Sequence, residues 1–332
     1  MSSVILDDIQ LLRESKSYID SLYAILTAAG RFQGPKYMLS GLTGMAFKLS
    51  VHERLLAMSV TAYGQWIEVH KPAVKNLGLL SVADAGRTRH PTFRWYQQEA
   101  VIAVKQSLDL GLGAIYWIPE FGVIHGYDDA DQVFYVQDGR HAESQVVLYD
   151  NFGLNFTPFW YYEIFGDDVE ITHEEMVLES LRIAIDDWHT PYRTFPDTSI
   201  ASGKLAYTYL REGLQGGTYD EGGARYIFDA YAVSRTEIRD YLIDVEGCWP
   251  ELLEARGCYE ELSRMIPDMT GCIQMKQGTE QIDSDRVGEL VHLLGVAEAL
   301  EDQAIHYFQA ISSRYPDLRR STPPRWGAHS PR

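Results

Sequence analysis

The chain is poor in cysteine, with three in 332 residues, Cys248, Cys258 and Cys272, and none in the first 247 positions. An odd count without paired spacing argues against a disulfide framework and against a zinc site of two close ligand pairs. It also excludes thiol chemistry from the first three quarters of the chain. No apolar run approaches the ~20 residues of a membrane-spanning helix, and the opening MSSVILDDIQ lacks a basic region followed by an apolar one. Neither a membrane span nor a secretory signal is therefore expected, and the expected location is cytoplasmic. Positive charge is short as well: 29 Lys and Arg face 47 Asp and Glu, a net charge of −18. Such a surface repels nucleic-acid backbones and anionic membranes, so neither is expected as a partner. Metal and cofactor signatures are missing. His173-Glu-Glu has no second histidine at ligand spacing, and the Gly-rich stretch 213–225 follows a helical pattern where a phosphate-binding loop would follow a strand. That stretch reads as a helix–helix linker; no metal and no cofactor are expected.

Two patterns follow each other along the chain. Apolar residues at helical spacing, Tyr18, Leu22, Ile25 and Leu26, predict a helix from Ser17 to Ala29 that Gly30 closes. Further helices are expected over 36–47, 65–79 and 93–110, with a polar loop over 81–92. Between 114 and 164, five short segments rich in aromatic and β-branched residues, separated by Gly, Asp and Pro, predict an antiparallel meander. From Thr172, whose pairing with Glu175 is a capping-box signature, the chain reads as helical over 172–188, 199–215, 223–245, 249–265 and 285–315. The fold class is α+β, with an α+β domain over 1–169, a helical domain over 170–316, and a Pro-rich tail over 317–332 expected to be disordered.

Two segments carry a family resemblance. Ser17-Tyr-Ile-Asp-Ser-Leu-Tyr-Ala-Ile-Leu-Thr-Ala-Ala-Gly30 resembles the nucleophile helix of papain-like families, in particular the N-terminal domain of butirosin biosynthesis protein H and the double-glycine peptidases. Glu120-Phe-Gly-Val-Ile-His-Gly-Tyr-Asp-Asp129, followed by Val133-Phe-Tyr-Val-Gln-Asp138, is similar to the strand pair that brings the histidine and its orienting aspartate into those sites. The Gly-rich Tyr37–Phe47 and, further on, Gly203–Tyr207, Ala230–Arg235 and Ala255–Tyr259 also resemble that group. The resemblance implies a papain-like fold followed by a helical domain. It places the nucleophile at Ser17, the base at Glu120 and the orienting carboxylate at Asp138.

Those residue types change the chemistry. A cysteine nucleophile works through a thiolate that forms readily beside histidine. Serine is far less acidic, and a carboxylate is a weak base that brings no positive charge to an intermediate. Each residue also has an ordinary reading: Ser17 as an N-cap in a capping box with Asp20, Glu120 as a solvated or arginine-paired strand residue, Asp138 as a turn residue, and His125 as a structural histidine. The expectation is a non-catalytic papain-like protein, not a peptidase, that binds a small molecule or peptide in the former cleft and dimerises through its helical domain. The alternative is an acyl or aminoacyl transferase of the butirosin-H type acting in secondary metabolism, with Ser17 as acceptor.

Overall fold

A computed structural model describes residues 2–61, 65–194, 197–276 and 279–316. The tail expected to be disordered, 317–332, lies outside the described residues. The chain divides into two compact units, Met1–Leu39 with Val69–Glu170, and Ser40–Glu68 with Ile171–Arg332. Among the described residues the architecture is mixed α+β, with nine α-helices and a seven-stranded antiparallel sheet.

The first unit is built on that sheet. Its strands are β1 (Ser3–Ile5), β3 (Leu79–Arg87), β4 (Ala114–Ile118), β5 (Glu120–Asp128), β6 (Val133–Gln137), β7 (Gln145–Leu148) and β8 (Phe159–Asp168); the short β2 belongs to the other unit. Their order is β3-β8-β4-β5-β6-β7, with β1 pairing the far end of β5. Helix α4 (Phe93–Asp109) lays Ala100, Val104 and Leu108 against Tyr116, Ile124, Phe134, Val136 and Tyr162 of the sheet, a fully buried apolar layer. Helix α1 (Ser17–Ala28) buries Leu22, Ile25 and Leu26 and packs on β4 and β5. Helices α2 (Lys36–Leu42) and α3 (Trp66–Asn76) contain the unit boundaries.

The stretch 81–92, expected to be a loop, is instead largely strand: Ser81 to Arg87 pair with Phe165 to Phe159. Its polar composition fits an edge strand, which has sheet on one side only and buries few side chains.

The second unit carries α5 (His173–His189), α6 (Lys204–Gly216), α7 (Glu221–Val245), α8 (Glu251–Thr270) and α9 (Val287–Arg314). The Thr172–Glu175 capping box forms in both directions, Glu175 N–H to Thr172 Oγ1 at 3.3 Å and Thr172 N–H to Glu175 Oε2 at 3.1 Å. Two short ladders, β2 (Ser50–His52) with β9 (Ile200–Ser202) and β10 (Ile273–Lys276) with β11 (Thr279–Ile282), interrupt the helical pattern the sequence led us to expect. Arg235 and Glu301 form a buried bidentate pair, at 2.5 and 2.9 Å, with the guanidinium 4.5 Å from the Tyr231 ring centroid.

The Gly-rich stretch expected to be a linker instead lies largely within helices, with Gly213 in α6 and Gly223 in α7. Leu55, fully buried and held at φ +51°, approaches both helices where Gly213 and Gly223 leave room. A Cβ on Gly223 would stand 2.1 Å from the Leu55 carbonyl oxygen.

Candidate functional site

Ser17 opens helix α1, is 4% exposed, and does not cap it. The N-cap is Lys16, which makes no side-chain cap bond, and Asp20 does not complete a capping box. Asp20 reaches back to accept from the amides of Glu14 and Ser15, and pairs with Lys36 Nζ at 2.8 Å. The Ser17 hydroxyl instead accepts the Phe121 N–H of β5 at 3.4 Å. The helix start and the strand start that the resemblance brings together are thus in contact through a backbone amide.

Arg13, four residues before Ser17, closes this corner. Its guanidinium donates to three carbonyl oxygens: Ser17 at 3.3 Å, Asp138 at 2.8 Å, and Phe121. A buried carbonyl left without a donor costs about 1–3 kcal/mol, so one side chain satisfying three from different elements fixes their relative positions. Gly139 makes room for it. At φ +71° this residue turns the chain after β6, and a Cβ there would lie 2.9 Å from Arg13 Cγ.

The Asp138 side chain is used by its own turn. Its carboxylate accepts from the amides of Arg140 and His141 at 2.9 and 3.0 Å, from the His141 ring at 2.7 Å and from Gln145 Nε2 at 3.0 Å. Burial pushes this carboxyl up, but the two amides and the His141 ring outweigh it and hold it at about 2. Asp138 is therefore a turn residue, the ordinary reading of Gln-Asp-Gly. Glu120 is half-buried at the start of β5, opposite Ile118 and next to Phe121. The backbone of 17, 121 and 138 converges on Arg13, while the Ser17 and Asp138 side chains serve separate partners.

A second polar group lies deeper in the same unit. Glu163 of β8 is fully buried, and its Oε2 accepts the Tyr18 and Tyr161 hydroxyls, each at 2.8 Å. His70 of α3 stacks flat on Tyr18, with centroids 3.5 Å apart and planes 11° apart, and its Nδ1 is 3.2 Å from the Tyr161 hydroxyl. Because Tyr161 gives its hydrogen to Glu163, His70 Nδ1 is the donor in that bond. Burial raises the Glu163 carboxyl above its ordinary range, against the lowering effect of Tyr161, Tyr18 and Ser81.

Activating a serine hydroxyl as a nucleophile needs a base in direct hydrogen-bond contact with it. At this corner the Ser17 hydroxyl meets an amide, and the orienting carboxylate serves a turn. Among the described residues no group of three His, Cys, Asp or Glu side chains is placed to hold a metal ion, and no helix is long and apolar enough to cross a membrane. Sequence reading missed Arg13, Glu163 and His141. A basic residue one turn before a helix start carries no pattern of its own, and Glu163 sits in an aromatic strand where alternation places it on a buried face. No protein-family model matches the chain, and no curated protein matches it.

Proposed function

We propose that this chain is a papain-like protein with a helical second domain, non-catalytic at the former active-site corner of Ser17, and that it holds a small molecule or peptide where an active relative would hold its substrate. The observation that carries the reading is the Arg13 guanidinium spanning the carbonyls of Ser17, Phe121 and Asp138. A cation fixed on the backbone of all three segments makes the corner a rigid joint, and the Ser17 hydroxyl faces a strand amide instead of a base. The packing of α1 on antiparallel strands agrees with the fold the resemblance implies. Two measurements test the proposal. Incubation with an acyl thioester, followed by peptide mapping, is expected to leave Ser17 unmodified; an adduct on Ser17 would overturn the non-catalytic reading. Native mass spectrometry of the purified chain is expected to show a bound species that denaturation releases, and a bare polypeptide would count against recognition as its role.

A further inference from the structure

His125 and Ser144 meet away from the Ser17 corner. His125 Nε2 and Ser144 Oγ are 2.8 Å apart, inside the range of a nucleophile–base hydrogen bond. The two residues are unequally exposed, as such a pair requires: His125 is 6% exposed in β5, whereas Ser144 is exposed just before β7. The backbone explains how they meet. The β5–β6 register slips between Ile124 and Gly126, so His125 is the extra residue of a bulge, a feature that re-aims side chains. The Asp138 turn, bonded to Arg140, His141 and Gln145, fixes the loop that delivers Ser144.

The ring is prepared for base chemistry. Burial lowers the His125 pKa, with the Leu6 backbone and Asp7 acting weakly the other way, so the imidazole is neutral at pH 7. Nδ1 is buried and has no hydrogen-bond partner among the described residues, so Nε2 is the ring nitrogen that meets Ser144. In the tautomer with the proton on Nδ1, Nε2 accepts the Ser144 hydroxyl hydrogen, the arrangement a general base needs. An apolar strip runs beside the pair. Cross-strand partners share a face, and Ile5, Gly126, Tyr135 and Val146 form one such row. Leu148 lies two residues beyond Val146 on the same face. Ile5, Val146 and Leu148 are 50%, 57% and 49% exposed, an apolar surface on the same face of the sheet.

We propose that Ser144 and His125 are a nucleophile–base pair that accepts an acyl group from an apolar ester or thioester. Ser144 Oγ bonds to the acyl carbon as the bond to the leaving oxygen or sulfur breaks. His125 Nε2 takes the hydroxyl proton and passes it to the leaving group, giving an O-acyl serine and a free alcohol or thiol. The inference is independent of the reading of Ser17, and the two are told apart by which serine is modified.

The test is incubation of the full chain with p-nitrophenyl butyrate, followed by peptide mapping. One butyryl group is expected on the peptide containing Ser144, unchanged in Ser17→Ala, absent in Ser144→Ala, and formed at least tenfold more slowly in His125→Gln. No adduct on Ser144, or equal labelling in His125→Gln, would overturn the proposal. Should His125→Gln fail to fold, Ser144→Cys replaces it: a thiol beside the neutral imidazole is expected to react with iodoacetamide at least tenfold faster than the thiol of Ala142→Cys in the same loop. Equal rates would overturn the proposal as surely.

Discussion

The Tyr18 hydroxyl donates to Glu163 at 2.8 Å from the position directly after Ser17, tying the first turn of α1 to a fully buried carboxyl. Glu163 is held above its ordinary value of 4.5 by burial, so the folded state binds its proton more tightly than the unfolded chain does. For a raised carboxyl, the stabilisation is complete below pH 4.5 and is lost as pH rises through the folded-state value. Glu163→Gln keeps an acceptor for the tyrosines and removes the charge. It is expected to melt above the wild type at pH 8 and with it at pH 4.5. A variant less stable than the wild type at pH 8 would show that the ionised carboxylate stabilises the fold.

Arg13 and Ser17 should differ sharply in their effect on stability. Arg13→Met leaves the Ser17, Phe121 and Asp138 carbonyls without their shared donor, and a loss of about 2–4 kcal/mol is expected in urea unfolding. Ser17→Ala removes one bond of 3.4 Å and is expected to cost less than about 1 kcal/mol. The reverse order would mean that the hydroxyl, not the guanidinium, holds the corner together.

Asp138 has the opposite pH dependence from Glu163. Its carboxyl falls from an ordinary 3.8 to about 2, where burial is outweighed by the amides of His141 and Arg140 and by the His141 ring. A depressed carboxyl contributes stability above pH 3.8 and loses it as pH falls through about 2. Asp138→Asn has no such titration. The urea midpoints of the two proteins should therefore be well separated at pH 5 and draw together by pH 2; a constant separation would place the origin of the turn's stability elsewhere.

How far the sequence reveals this molecule depends on whether a residue's partner is local. The Thr172–Glu175 cap was legible because both bonds close within three residues. The helix over Ser17–Ala28 and the strands from Ala114 to Asp168 were legible from their apolar spacing. Ser17 with Asp20 carries the same capping signature, but Asp20 is drawn to Lys36, Glu14 and Ser15, and Ser17 to Phe121, 104 positions away. The edge strand β3 was hidden because Ser81, Asp84 and Gly86 follow no alternation once one side of the strand is open. The resemblance names Ser17, Glu120 and Asp138, whereas the hydrogen bonds at this corner involve the backbone of Phe121 and the side chain of Arg13, which lies outside those segments.

The glycines where α6 ends and α7 begins give the sharpest contrast. Gly223, Gly213 and Gly216 all fall in a stretch whose composition reads as a linker, yet all three lie within helices. Gly223 faces the Leu55 carbonyl oxygen at 2.1 Å from where a Cβ would be, and Leu55 is itself held at a positive φ that leaves it little freedom to retreat. Backbone must move to admit a methyl group there, and Gly223→Ala is expected to cost about 3 kcal/mol or more, as overpacking against backbone does. Gly216 has open space around the same atom, and alanine is the better helix former. Gly216→Ala is therefore expected to stabilise by about 0.4–1 kcal/mol. Thermal unfolding of the two single variants checks both signs at once. If Gly223→Ala were tolerated, Leu55 would not be locked between the two helices.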